Sequence, residues 1–582
     1  MRCNNLTMTD ARNEGLSHPI PWAKTLIDQL VKQGVNYFCI SPGSRSSALT
    51  LACSENTECS SISHFDERGL AFHALGYAKA THKACCIIVT SGTAVANLLP
   101  SLIEAHNERI PLIVLTADRP PELRDCGANQ SCDQVNIFAN YTRFQVDFPC
   151  PSAEIPERYI ATTVATAVHH AHGNPKGPVH INCMFREPLF STQFQEKMDL
   201  VAVEKESMLP TLSQATLEKW ANLISSAKRG VIIAASLPSC QNTEAILNFA
   251  KKLKWPILAD VLSQVRSRGK EDEVIGYYDT LLKIDGDYQP DLILHLGDRL
   301  VSKTLQQWLT QAEDIPYLQI TDHPWRQDPF HQVTHRLDCD PALLCSQIAP
   351  LIPNRTDASW INSWKEPSKN IETCLHFCFS SQTELSEPGM IHALNQLLKT
   401  NWSLFLGNSM PIRDADQFFF PEHPTGFIFG IRGVSGIDGN IATISGIAEG
   451  SKKPIVALIG DLTFLHDLNS LALLRSATVP ILIIVVNNQG GGIFSFLPIA
   501  QKAAEFERLW GLEHSYSFEK AAELFGIPYS NPKNQTDLED ILFSVLKKPQ
   551  LMIIETQTKR AQNVLFHEML ITQCLTLQAS VT

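Results

Sequence analysis

The sequence has 582 residues, of which 44% are hydrophobic and 19% charged, with a formal net charge of −12. These are the proportions of a globular chain long enough for about three domains, and the acidic balance argues against a general nucleic-acid binder. No apolar run reaches the ~18 residues of a membrane span. Residues 1–15 lack the apolar core of a secretory signal, and the 16 cysteines form no disulfide-like frame, so a reducing cytoplasm is the expected setting.

Residues 1–15 read as a frayed lead-in. An amphipathic helix follows near Pro21, with Trp22, Leu26, Ile27 and Leu30 at helical spacing. The run Tyr37–Ile40 predicts a strand that ends in Ser41-Pro42-Gly43-Ser44-Arg45. Small residues between strand and helix suit close approach of a ligand, with Arg45 projecting from the loop. A plain turn with a surface arginine fits the same residues. His64-Phe65-Asp66-Glu67-Arg68-Gly69 leads into a small-residue helix over 70–80. A carboxylate at a helix mouth fits the dipole as well as a site. Strands are predicted at 86–90 and 112–116, separated by a helix that Ser91-Gly92-Thr93 opens. Arg119 follows the second of them, then a polar loop over 124–130. Arg45, Glu67, Arg119, Asn129 and Gln130 are thus read as loop residues, several at the carboxyl end of one sheet, where such folds build their sites. A strand at 179–182 closes a first domain, 1–195.

Residues 196–212 read as a linker. A second domain, 213–350, has predicted strands at 231–235, 256–259, Leu292–Leu296 and 317–320, and no GxGxxG after a strand. Lys303 is either a first-turn surface lysine or a positive charge contributed to a site. Residues 351–385, bracketed by Pro350, Pro353 and Pro388, are expected to wrap the surface as a connection. Cys374-Leu375-His376-Phe377-Cys378 lacks a second Cys/His pair nearby, so free thiols account for it better than zinc.

A third domain, 386–582, begins with a helix at 390–398 and a strand at Ser403–Leu406, whose end carries Ser409 and Arg413. The glycine- and serine-rich stretch 430–439 holds Arg432, Gly436 and Ile437 and reads as a flexible loop suited to a phosphate or cofactor. Residues 454–459 predict a strand ending in Gly460-Asp461. A helical pattern follows (Leu465, Leu468, Leu471, Ala472, Leu474), then a strand at 481–486 ending in Asn487-Asn488-Gln489-Gly490. This is a βαβ unit with Asp461 and Asn488 at the carboxyl ends of its strands. A carboxylate, an amide oxygen and a backbone carbonyl are hard ligands that suit Mg²⁺. Polar ends of a buried βαβ unit fit the bare pattern equally well. A last strand is predicted at 551–555. The fold class is α/β, with three doubly wound parallel-sheet domains.

The segments SPGSRSSALTLA (41–52), FDERGLAFHALGYAKA (65–80), TSGTAVANLLPSLIEA (90–105), LTADRPPELRDCGANQ (115–130), GNSMPIRD (407–414), RGVSGIDG (432–439), GDLTFLHDLNSLALLR (460–475) and VVNNQGGGIFSFLP (485–498) carry a resemblance. Together they resemble the thiamine diphosphate decarboxylase-like family. Within it they are most similar to the branch that joins 2-oxoglutarate to isochorismate in menaquinone biosynthesis. Both end domains are covered in order; the middle domain matches mainly in pattern, with KTLQQW (303–308) as its best local agreement. Leu462 stands where many members of the family have a second glycine, as is usual in this branch.

The resemblance implies thiamine diphosphate with Mg²⁺ or Mn²⁺, decarboxylation of 2-oxoglutarate and 1,4-addition of the succinyl carbanion to isochorismate. It implies an N-terminal pyrimidine-binding domain, a central Rossmann-like domain and a C-terminal diphosphate-binding domain. Glu67 would bond N1′ of the aminopyrimidine from a dry setting, and Ile437 would support the cofactor's V shape. Asp461, Asn488 and the Gly490 carbonyl would hold the metal, with Gly436 and Gly460 lining the cofactor. Ser409 and Arg413 would take the 2-oxoglutarate part. Arg45, Arg119, Asn129, Gln130, Lys303 and Arg432 would serve the acceptor, with Phe494 in the pocket wall. Thr304 replaces an arginine common after that lysine. A cytoplasmic homodimer or homotetramer is implied, with active sites at subunit interfaces. The alternatives are another thiamine diphosphate carboligase or decarboxylase, of the acetohydroxyacid synthase type, and a non-catalytic cofactor- or metabolite-binding regulator. The density of strand-end arginines favours a dicarboxylate donor and an anionic acceptor over pyruvate alone.

Overall fold

Continuous apolar runs become the inner strands of three parallel sheets. The structure, a computed structural model, describes residues 17–190, 196–204, 206, 211–237, 242–284, 286–312 and 314–581. The lead-in expected over 1–15 lies outside them, as do 205 and 207–210 of the expected linker.

The first sheet contains β1 (Tyr37–Ile40), β2 (Ser60–Ser63), β3 (Cys85–Val89), β4 (Leu112–Asp118), β5 (Phe144–Phe148) and β6 (Val179–Met184), in the order β2-β1-β3-β4-β6-β5. Around it lie α1 (Pro19–Lys32), α2 (Glu67–Thr81) and α3 (Leu99–Glu108). The apolar face of α1, including Trp22, Leu26, Ile27 and Leu30, is buried. The second sheet has β7 (Gly230–Ala234), β8 (Ile257–Ala259), β9 (Leu292–Leu296), β10 (Tyr317–Thr321) and β11 (His335–Asp338), in the order β11-β10-β9-β7-β8, with α4 (Lys303–Thr310) after β9.

Residues 351–385 are more than a connection. They include α5 (Ser359–Ser380), whose Ile361, Trp364, Ile371, Leu375 and Phe379 are buried despite Pro367 inside the helix. Together with buried Ser368 these positions recur every three or four residues, the helical period that the flanking prolines obscured. The third domain follows with α6 (Glu387–Leu397), β12 (Ser403–Leu406), α7 (Met410–Phe418), β13 (Ile428–Phe429), α8 (Asn440–Ser451), β14 (Ile455–Gly460), β15 (Ile481–Asn487), β16 (Tyr529–Ser530), β17 (Met552–Gln557) and α9 (Arg560–Val581). Its sheet runs β13-β12-β14-β15-β17-β16. The helix expected after Asp461 is broken into Asp461–His466, a 3₁₀ turn at Leu468–Ser470 and Leu471–Leu474. The break falls at Asp467, whose buried carboxylate accepts from the Ser470 hydroxyl (2.8 Å) and the Ala442 N–H (2.9 Å).

The chain folds as two compact units. One comprises residues 1–207, 431–452 and 466–478; the other comprises 208–430, 453–465 and 479–582. In the first, α2 and α8 cross at close range: a Cβ on Gly76 would strike the Thr443 carbonyl, and one on Gly446 the His73 carbonyl. In the second, one apolar core including Trp255, Trp364, Trp402 and Ile484 runs under both sheets. Among the described residues, no helix is long and apolar enough to cross a membrane.

Candidate active site

Register places the first pair of candidate ligands. β14 and β15 are parallel, with Gly460 opposite Val486, so Asp461 and Asn488 extend beyond neighbouring strand ends. Both are buried. Asp461 Oδ1 accepts from the Leu462 N–H (2.6 Å) and Oδ2 from the Gly490 N–H (2.9 Å), while His514 Nε2 lies 3.3 Å from Oδ2. Burial raises the Asp461 pKa against the opposing pull of those N–H groups and His514. Asn488 Nδ2 donates to Glu387 Oε1 (3.0 Å), and its buried Oδ1 has no hydrogen-bond partner.

Gly490 has φ +143°, and a Cβ there would run into the Gly511 carbonyl. Only glycine holds this tight return next to Asp461. A Cβ on Gly460 meets nothing closer than Thr463 Oγ1 at 4.0 Å, so the space at that strand end is open. Phe494, in the 3₁₀ segment Gly492–Phe496, is half-buried against Gly491. A buried, unpartnered amide oxygen beside a carboxylate, bordered by open space, fits an oxygen-ligated Mg²⁺ or Mn²⁺ and a diphosphate.

Ser409 and Arg413 come together at the start of α7. Arg413 is exposed and its Nη1 donates to the Ser409 carbonyl (2.6 Å). Ser409 sits at φ +73°, ψ −128°, a conformation costly for a non-glycine residue and therefore a pointer to function. Asp414, next along α7, bonds His567 Nε2 at 3.0 Å. Lys303 is exposed at the first turn of α4, with Ser302 as the N-cap.

In the other unit, Glu67 is the first residue of α2 rather than a loop residue, because Asp66 caps the helix through the Arg68 and Gly69 N–H groups. It is half-buried in the single chain. Arg68 Nη2 donates to the His466 carbonyl (2.9 Å). Arg45 is 5% exposed; Nη1 donates to the Phe185 carbonyl (3.0 Å) and Nη2 to the exposed Glu187 carboxylate (3.1 Å). Arg119 forks onto the Asn129 carbonyl through Nε and Nη2 (3.1 and 2.7 Å). Gln130 and Ser91 exchange two side-chain–backbone hydrogen bonds, from Gln130 Nε2 (3.0 Å) and Ser91 Oγ (2.9 Å). The loop between β4 and β5 is thereby tied to the end of β3.

The loop before α8 is gripped rather than flexible. Glu104 of α3 accepts from the Gly433 (2.6 Å) and Val434 (2.7 Å) N–H groups, and Glu108 from the Arg432 N–H (2.7 Å). Lys79 holds the other Glu108 oxygen. Burial, then the neighbouring Glu108 charge, pushes Glu104 up to about 7. Gly436 and Ile437 follow, both half-buried. Sequence reasoning missed Glu104, Glu108 and Glu387. The first two are spaced i, i+4 on one helix face, and the third follows a capping serine; those are the signals that were present.

The chain matches three family descriptions in order. They are "Thiamine pyrophosphate enzyme, N-terminal TPP binding domain" over residues 21–137, "Middle domain of thiamine pyrophosphate" over 194–406, and "Thiamine pyrophosphate enzyme, C-terminal TPP binding domain" over 411–556. A 2-succinyl-5-enolpyruvyl-6-hydroxy-3-cyclohexene-1-carboxylate synthase of Rubrobacter xylanophilus is 39% identical over 560 residues, 94% of this chain and 97% of that protein. Proteins of the same name from Salinibacter ruber and Bacillus pumilus are 37% and 35% identical, each over 94% of this chain and 95% and 96% of their own length. Likeness of this extent, across both end domains and the middle one, means that the chain belongs to the 2-succinyl-5-enolpyruvyl-6-hydroxy-3-cyclohexene-1-carboxylate synthase family of thiamine diphosphate-dependent enzymes.

Proposed function

We propose that the enzyme decarboxylates 2-oxoglutarate and adds the succinyl unit in a 1,4 sense to isochorismate, as a transferase of menaquinone biosynthesis in the cytoplasm. The observation that carries the cofactor site is the buried, unpartnered Asn488 Oδ1 beside Asp461. Thiamine diphosphate, when bound, supplies a nucleophilic carbon and an electron sink for the carbanion that decarboxylation leaves.

The chain's own residues bind and orient. The diphosphate belongs to domain 386–582, where Asp461, Asn488 and the Gly490 carbonyl would hold Mg²⁺ or Mn²⁺ next to Gly460. The pyrimidine belongs to domain 1–195, where Glu67 would hold a proton at N1′. Ile437 and Gly436 support the cofactor from the gripped loop. Ser409 and Arg413 bind the 2-oxoglutarate-derived carboxylate, for which a guanidinium is suited by its planar fork. Arg45, Arg119, Asn129, Gln130, Lys303, Arg432 and Phe494 receive the acceptor. Arg45 does so by exchanging the exposed Glu187 carboxylate for one of the substrate's. A homodimer or homotetramer completes each active site across subunits; sedimentation showing only monomer at assay concentrations would reject that assembly.

The test of the function is a mixture of 2-oxoglutarate, isochorismate, thiamine diphosphate and Mg²⁺. Formation of the succinylated adduct with CO₂ release is expected. Decarboxylation of pyruvate with transfer to a second 2-oxoacid, and no adduct with isochorismate, would instead favour the acetohydroxyacid synthase type.

A further inference from the structure

Asn488 has two chemically opposite ends. Only Oδ1 can bind a cation, while Nδ2 needs an acceptor. The two orientations differ by a half-turn of the amide and fill nearly the same volume, so packing alone does not choose between them. Glu387 does. When ionised, its Oε1 accepts from Asn488 Nδ2 at 3.0 Å, and the flipped amide would set Oδ1 against a carboxylate oxygen. Glu387 is 3% exposed. It is the first residue of α6, which Ser386 caps by accepting from the Gly389 N–H (3.0 Å), and Thr558 Oγ1 donates to the same Oε1 at 3.5 Å. On the other side Gly492 leaves room for the amide: a Cβ there would strike Asn488 Nδ2. Asp461 is likewise oriented, by the Leu462 and Gly490 N–H groups.

We propose that Glu387 is a positioning residue of the metal site, holding the Asn488 amide so that Oδ1 is the atom offered to the cation. The inference rests on reading Asp461, Asn488 and Gly490 as the metal ligands. Partners of this kind behind a ligand are worth 10–100-fold in metal affinity. A glutamine at this position could accept from Nδ2 or donate to Oδ1, so it would satisfy either orientation and lose the selection.

The experiment is a titration of the full-length protein with Mn²⁺ at saturating thiamine diphosphate, reading free Mn²⁺ by electron paramagnetic resonance. Glu387→Gln is expected to weaken Mn²⁺ binding by about 10–100-fold, with kcat recovering when the metal is raised. In the Asn488→Asp background there is no amide to orient, and adding Glu387→Gln is expected to cost no further affinity. Equal binding by wild type and Glu387→Gln, while Asn488→Ala binds weakly, would overturn the role of Glu387 alone. The same penalty for Glu387→Gln in both backgrounds would overturn it too, since a general packing or charge effect does not depend on the amide. Wild-type Mn²⁺ binding by Asn488→Ala would overturn the underlying metal-site reading.

Discussion

Glu67 is free of a capping duty. Asp66 already accepts from the Arg68 (3.0 Å) and Gly69 (3.3 Å) N–H groups, so α2 starts without help from the Glu67 carboxylate. Glu67→Gln is therefore expected to fold and bind thiamine diphosphate, measured by calorimetry, while activity falls by about 10²–10⁴-fold, the usual scale for losing an acid–base group. Near-normal turnover would remove Glu67 from the chemistry. Arg413→Ala should lower kcat/KM for 2-oxoglutarate by roughly 10–100-fold, the loss of one charge-assisted carboxylate contact; an unchanged value would reject the assignment. Residue types in loops were legible from sequence: Arg45, Arg119 and Ser409 stand near strand ends as short runs predicted, whereas Arg413 lies within α7 rather than in a loop, because the helix starts at Met410 directly after Ser409. Glu104 was not, because its meaning lies in the Gly433 N–H, 329 residues downstream. No local pattern encodes such a partner.

The α3 carboxylates and the loop they grip form one element with a pH signature. The folded-state pKa of Glu104, about 7, lies above its ordinary 4.5. The folded chain thus binds the proton more tightly than the unfolded one. The associated stability is fully present below about pH 4.5 and is lost as pH rises through about 7. The loss is on the order of 3 kcal/mol. Glu104→Gln should flatten that slope in chemical denaturation of the apoprotein; an unchanged slope would show that another group carries it. The other elements show where prediction by apolar run stops working. β1, β9 and β12 match their expected bounds because they are apolar runs between turn residues. β2, β5, β11, β13 and β16 were not expected, and every one of them is an edge strand. β2 is largely exposed and β11 partly so, hence neither needs the continuous apolar run that marks an inner strand.

At the scale of the molecule, the unit built on the first sheet borrows residues 431–452 and 466–478 from the third domain. Nearly all of α2 from Gly69 to Lys79 is buried, and α8 covers much of it through the Gly76–Thr443 and Gly446–His73 approaches. A fragment ending at residue 207 is expected to lack cooperative thermal unfolding by circular dichroism. A sharp transition in that fragment would show that α2 needs no cover. In the intact chain, Gly446→Val should destabilise by about 1–3 kcal/mol through overpacking. The same borrowing sets the order of events during synthesis. Gly446 is translated 370 residues after Gly76, roughly 20–70 s later at ordinary elongation rates. Throughout that interval the nascent first sheet carries an uncovered helix face rich in glycine and alanine. Completion of this unit therefore waits until residues 431–452 and 466–478 have been made, late in synthesis, and α2 stays open to holdase chaperones for that interval.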